Sequence, residues 1–230
     1  WSPLGNTMEK AFSALRSLRN RVELQDGVLG AYRNFNTRLG AVVHEDLPSY
    51  PRKKIRTMGR IGVLAAAASE DALRDAGLLD DPVLTSGDTG IAYGSSGGSS
   101  AAFGDVAGFE SNRDVVYLKG STYVTMMPHT VPVNLSIFFG ITGEIVPTSV
   151  ACASGSMAVG YGRDMMLLGR EKVMLCGGAE EFSPLSVGVF DALFQTSRAE
   201  DPALAPRPFD RSRDGIVVGE GAGTVILEEY

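Results

Sequence analysis

The chain has 230 residues, room for one large domain or two small ones, and its 44% hydrophobic and 21% charged content is that of a globular fold. A net charge of −6 argues against nucleic acid as a main partner, and no run approaches the ~18 apolar residues that suggest a membrane span. Two cysteines and two histidines are too few for a disulfide framework or a zinc site, so no metal is expected, and with no basic stretch leading into an apolar core near the start the expected compartment is the reducing cytoplasm.

Along the chain, Asn6 and Glu9 have the spacing of a capping box, and Phe12, Leu15 and Leu18 or Val22 then form one apolar face of an amphipathic helix. Residues 25–50, rich in Gly, Asn, Asp and Pro, predict a loop with a short strand near Gly40–Val43. One helix is predicted from Arg52 to Ala76, apolar nearly all round at Ile61–Ala68 and capped by Gly77. Thr89–Gly94 predicts a buried strand that runs into Gly94-Ser95-Ser96-Gly97-Gly98-Ser99. Residues 103–128 carry no clear period. Val131–Phe139 predicts a helix ending at Gly140, and Glu144–Val150 a strand with Pro147 marking an edge. Ser156–Arg170 predicts a helix and Lys172–Cys176 a strand covered on both faces. Two further strands, Ile216–Val218 and Thr224–Leu227, flank the run Gly219–Gly223. Alternating strands and helices with no linker give a single α/β domain with layers of helix on sheet.

The most informative stretch is Thr148-Ser149-Val150-Ala151-Cys152-Ala153-Ser154-Gly155-Ser156. A cysteine between small residues, after an extended run and before a helix, has the form of a nucleophile at a strand-to-helix corner. The helix N-terminus favours thiolate over thiol, and small neighbours let a carbonyl approach the sulfur. The alternative is a buried structural cysteine, the reading assigned to Cys176 at the end of its strand.

Downstream come Leu175-Cys176-Gly177-Gly178-Ala179-Glu180-Glu181, Phe190-Asp191-Ala192-Leu193, Pro208-Phe209-Asp210-Arg211-Ser212-Arg213-Asp214-Gly215 and Gly219-Glu220-Gly221-Ala222-Gly223. In this order and spacing, with Ser2-Pro3-Leu4-Gly5 and the glycine-rich turn at 94–99 upstream, they resemble the 3-oxoacyl-[acyl carrier protein] synthases of the thiolase-like superfamily. Glu180-Glu181 and Phe190-Asp191-Ala192 look more like the type I elongating enzymes than type II. The resemblance implies a thiolase-like layered α-β-α fold of which residues 1–230 are the N-terminal half, incomplete at both ends. It places the family's histidines, lysine and second oxyanion donor in a C-terminal half, so the fragment alone is expected to be inactive.

The same resemblance implies an acyltransferase that runs a decarboxylative Claisen condensation between malonyl carrier protein and an acyl group held on Cys152, in fatty acid elongation. The Cys152 backbone N–H would supply half of an oxyanion hole. Gly97, Gly98 and Phe190 fall where the family lines its acyl pocket; a surface loop and an ordinary core aromatic are the alternatives. The expected partners are an acyl carrier protein, whose phosphopantetheine arm replaces any resident cofactor, and a second copy of the chain, with no nucleic acid and no membrane. Lys53, Lys54, Arg56 and Arg60, next to Arg52, are basic residues in an acidic chain. In the first turns of a helix they would oppose its dipole, so docking of an acidic carrier competes with a solvated face as their explanation. Asp210 and Asp214 suggest a buried turn of ion pairs. Other readings are a polyketide-type ketosynthase subunit, a silent dimer partner (against which Cys152 argues), a biosynthetic thiolase, and a Cys hydrolase. The hydrolase elbow would want Gly where Val150 stands. Glu220 lies in a glycine run without the Gly-Lys-Ser/Thr ending of a phosphate loop.

Overall fold

The computed structural model describes residues 1–229. In chain order the helices and strands are α1 (Met8–Arg16), β1 (Glu23–Leu24), α2 (Asp26–Leu29), β2 (Leu39–Gly40), α3 (Arg52–Ile55), α4 (Arg60–Asp75), β3 (Thr89–Gly94), α5 (Ser100–Asn112), α6 (Thr122–Met126), α7 (Thr130–Phe139), β4 (Ile145–Thr148), α8 (Ser154–Leu167), β5 (Val173–Glu180), α9 (Pro184–Ala192) and β6 (Gly221–Glu228). The chain divides into two compact units, one of Trp1–Asp46 with Glu181–Gly221 and one of Leu47–Glu180 with the C-terminal strand from Ala222.

In the first unit, β1 and β2 pair antiparallel, Glu23 opposite Gly40 and Leu24 opposite Leu39. The cap of α1 is Thr7 rather than Asn6: its side chain accepts from the Lys10 N–H at 3.2 Å, and Asn6 instead accepts from Lys10 Nζ. The expected apolar face of α1 is not buried among the described residues. Ala14 is inside, while Phe12 and Leu15 are more than half exposed.

Two carboxylates hold this unit together. Asp191 on α9 accepts from the Asn36 N–H (2.8 Å), the Thr37 N–H (3.1 Å), Asn36 Nδ2 (3.1 Å) and Thr196 Oγ1 (2.5 Å). Burial pushes its carboxyl upward, but the hydrogen bonds from Thr196, Asn36 and Thr37 outweigh it and keep the group below the usual carboxylate range. Glu220 accepts from the Val43 N–H at 2.7 Å and the Phe182 N–H at 3.3 Å. α9 begins with a capping box between Ser183 and Ser186 and with Pro184 in its first turn. The strand expected at 216–218 is reduced to a single bridge between Ile216 and Thr196. The turn at 210–214 is exposed rather than buried. Its ion pair is Arg207–Asp214 at 3.2 Å, while the Asp210 carboxylate accepts from the Ser212 N–H and hydroxyl and the Asp210 carbonyl accepts from Arg213 Nη1 at 2.9 Å.

The second unit is built on a four-stranded sheet in the order β4-β3-β5-β6. β3 is central and parallel to both neighbours, with Ile91 opposite Ile145 and Leu175, and Gly94 opposite Thr148 and Gly178. The three parallel strands therefore end on the same edge of the sheet. β4, which carries Pro147, is the outer strand expected. Side chains alternate across the sheet. Ala92, Met174 and Cys176 pack on one face with Ala158 of α8. On the other face the Tyr93 hydroxyl meets Thr224 Oγ1 (3.0 Å), which in turn meets Ser69 of α4 (3.1 Å). Helices on both faces give the layered α-β-α order expected of a thiolase-like half.

The predicted helix 52–76 is two helices. α3 stops at Ile55 and α4 starts at Arg60, with Gly59 between them as its N-cap. A Cβ on Gly59 would run into the Ser99 side chain, so the break lies where another segment crosses. The far end behaves as expected: Gly77 adopts φ +72° and its N–H donates to Arg74 O at 3.1 Å. Gly140 ends α7 in the same left-handed conformation. The break also removes the dipole argument for the basic cluster. Arg52, Lys53 and Lys54 occupy one short turn, Arg56 caps its C-terminal end, and only Arg60 stands at the start of α4.

Candidate active site

Cys152 lies where β4 turns into α8. The helix begins two residues earlier than the sequence pattern suggests, at Ser154, with Ala153 as a cap that makes no side-chain bond. Ala151 takes a left-handed conformation, φ +50°, that turns the chain between strand and helix. The thiol of Cys152 is exposed. The Ala153 and Ser154 N–H groups turn back onto the carbonyls of Val150 and Ala151, each at 3.1 Å. Among the described residues no group accepts from the Cys152 N–H, which leaves it available to an oxygen beside the sulfur.

Close backbone packing puts the corner where it is. Gly94 at the end of β3 lies against Ser154, and a Cβ at position 94 would collide with the Ser154 backbone. Gly178 of β5 lies against Gly155, with 3.0 Å from a Cβ at 178 to the Gly155 Cα. Here glycine serves close approach of a helix N-terminus to two strand ends. Thr148 Oγ1 donates to Ser154 O at 2.9 Å and ties the end of β4 to the first turn of α8.

Cys176 is the opposite case. It is fully buried in β5, its sulfur under Gly162 of α8 so tightly that a Cβ on Gly162 would overlap it. Burial pushes its thiol up to about 12. The reading of Cys176 as a packed core residue holds.

The other expected site residues are distributed as follows. The turn after β3 begins beside the corner; Ser96 N–H donates to the Glu180 carboxylate at the end of β5, and Gly97 faces open space. Gly98 is required by packing, since a Cβ there would strike the backbone at Thr125 and Met126. Phe190 is half-buried on α9, in the other unit. In the basic cluster Lys53, Lys54, Arg56 and Arg60 are all exposed, and the Lys54 ammonium also lies 4.7 Å from the Phe138 ring centroid and 3.3 Å from Phe138 O at the end of α7. The sequence reading missed the working parts of Thr148 and Ser154. Their signal was present only as small polar residues flanking the cysteine.

The described residues thus place an exposed thiol at a strand-to-helix corner of a sheet layered by helices on both sides. A sequence profile described as "Beta-ketoacyl synthase, N-terminal domain" matches residues 16–230, and the chain belongs to the beta-ketoacyl synthase family. It is 34% identical, over its whole length, to 3-oxoacyl-[acyl-carrier-protein] synthase 2 of Vibrio harveyi, of which it covers 55%. A crystal structure of a beta-ketoacyl synthase from Burkholderia phymatum STM815 superposes with a TM-score of 0.96 at 44% identity, covering 100% of this chain and 57% of that one. A ketosynthase solved in complex with its type II polyketide acyl carrier protein, bound to the hexaketide, matches at 26% identity and a TM-score of 0.78, covering 100% and 56%. The chain thus spans about half the length of the relatives it matches. Among the described residues no helix is long and apolar enough to cross a membrane.

Proposed function

We propose that the chain is the nucleophile-bearing half of a condensing enzyme that elongates acyl chains on a carrier protein. The carrying observation is the exposed Cys152 at the β4–α8 corner of a chain in the beta-ketoacyl synthase family. The Cys152 thiolate attacks the carbonyl carbon of an acyl thioester on the carrier's phosphopantetheine arm. A C–S bond forms to Cys152, the C–S bond to the carrier breaks, and the carrier thiolate takes up a proton. The developing oxyanion meets the Cys152 N–H. Malonyl carrier protein then loses carbon dioxide, and its α-carbon attacks the acyl group on Cys152. The new C–C bond displaces the Cys152 thiolate and yields a 3-oxoacyl carrier protein two carbons longer. Gly97 and Gly98 are assigned to the acyl pocket in this reading, which needs no resident cofactor. The test is mass spectrometry of the intact protein after incubation with an acyl carrier thioester. One acyl group per chain on the peptide containing Cys152 is expected; an adduct elsewhere, or none, sinks the reading.

A polyketide context is the second reading, favoured by the polyketide ketosynthase among the structural relatives. It uses the same thiol and differs in product: repeated condensation without reduction gives a poly-3-oxo chain, visible by mass on the carrier.

The carrier-docking assignment of the basic cluster is part of the same proposal, now resting on exposure and charge. Reversal of Lys53 and Arg56 to Glu should raise the Michaelis constant for carrier-bound acyl substrate about tenfold, or about 1.4 kcal/mol. A small acyl thioester should be used as before, and the effect should shrink with salt as charges become screened over ~8–10 Å. Lys54→Ala should behave differently, lowering stability by about 1 kcal/mol through the lost Phe138 contacts and affecting both substrates alike. Equal losses on both substrates for the double reversal would remove the docking role.

A homodimer completes the proposal. Among the described residues β4 is an outer strand with only β3 beside it, and an open strand edge is a template for pairing with a second copy. Light scattering of the intact protein at micromolar concentration should give twice the chain mass. A fully active monomer would refute it.

A further inference from the structure

The Cys152 corner depends on a residue that precedes no helix amide in the usual capping sense. Ser154 is the first residue of α8, yet its hydroxyl points its bonds backward, out of the helix. Its Oγ donates to Ala151 O at 2.6 Å and accepts from the Val150 N–H at 2.8 Å. One hydroxyl therefore closes a ring over the two residues that precede the nucleophile. Ser154 is 3% exposed, so water does not compete for either bond. Its own carbonyl is held by Thr148 Oγ1 at 2.9 Å, and its backbone is wedged against Gly94. The hydroxyl is thus fixed from the strand side before it fixes the turn.

The turn needs fixing. Ala151 sits at φ +50°, a left-handed conformation that strains an L-residue with a Cβ. Released from Ser154, the chain at 150–151 has an incentive to relax. That relaxation would rotate the next peptide, which carries both the Cys152 N–H and the direction of its thiol. We infer that Ser154 is a positioning residue for Cys152: its buried hydroxyl clamps Val150 and Ala151 so that the sulfur and the adjoining N–H face the same carbonyl. The inference rests on the condensing reading, because only attack on a carbonyl uses both groups at once. Alkylation by iodoacetamide uses the sulfur alone.

That difference supplies the test, made on the intact protein with iodoacetamide, with an acyl carrier thioester and with a small acyl thioester. Ser154→Ala should lower the rate constant for acylation of Cys152 about thirtyfold, or about 2 kcal/mol. The Michaelis constant and the rate of alkylation of Cys152 should change by less than about threefold. Amide exchange at Val150 should accelerate while the rest of the sheet is unchanged. Adding Ala151→Gly to Ser154→Ala should recover several-fold of the lost rate, since glycine holds a positive φ without strain. Should Ser154→Ala fail to fold, Ala151→Val asks the same question with the hydroxyl in place: a β-branched residue resists the left-handed conformation and should give the same split between acylation and alkylation. A wild type that acylates beside variants that acylate equally well overturns the inference alone. So does a loss that falls equally on acylation and alkylation, which marks a structural role. A wild type that takes up no acyl group overturns the condensing reading and the inference with it.

Discussion

Iodoacetamide should modify Cys152 at least a thousandfold faster than Cys176 in the folded chain at pH 8. The expectation has two physical sources. Cys176 has no exposed surface, with its sulfur closed over by Gly162, so the reagent reaches it only when α8 lifts from the sheet. Its thiol is also pushed up to about 12, which leaves on the order of one thiolate in ten thousand at that pH. Cys152 is exposed at the mouth of the corner, so the reagent reaches it without any such opening. Peptide mapping after brief labelling measures the ratio. Comparable labelling would mean that the α8 packing opens readily, or that the assignment of the nucleophile is wrong. Denaturant should erase the difference, which separates a local opening from an intrinsic difference between the two thiols.

Cys152→Ala in the intact protein should reduce condensation by at least a thousandfold, because the acyl group loses its thiol carrier and Cys176, the other cysteine of this chain, is buried. Decarboxylation of malonyl carrier protein should survive. That step stabilises an enolate and draws on oxyanion donors rather than on the sulfur, and the backbone N–H at position 152 persists in the alanine variant. The measurement is carbon dioxide release beside formation of 3-oxoacyl carrier protein. Retained condensation would exclude the covalent intermediate. Loss of both reactions together with a lowered melting temperature would point to damage of the corner itself.

The parts of this site that could be read from the sequence are those encoded locally. Cys152 among Ala, Ser and Gly, a strand before it and a helix after it, all lie within about twenty consecutive residues, and β3, β4 and α7 follow from short apolar runs, whereas β5 runs past its expected end at Cys176 to Glu180. What could not be read depends on partners far along the chain. The interruption at Gly59 comes from Ser99 crossing it, and the basic and apolar pattern on either side runs on as if nothing intervened. Asp191 binds Asn36 and Thr37, more than 150 residues away, and Glu220 binds Val43 across 177. Neither acid carries a local mark of that role. Lys54 shows the same limit at a binding surface. Its charge counts with its neighbours in sequence, but Phe138 has already claimed it. The amphipathic pattern of α1 is real, yet Phe12 and Leu15 remain outside among the described residues, since a pattern names the face to be covered and not what covers it.

The shared direction of β4, β3 and β5 has an evolutionary consequence. Each strand delivers its following segment to one rim: the turn at 95–99 from β3, the Cys152 corner from β4, and Glu180 from β5. Insertions and substitutions along that rim rewrite what approaches the sulfur, while the buried ladder beneath pays no penalty for the experiment. A lineage can thus diversify its substrates by editing loop tips and keep one inherited frame.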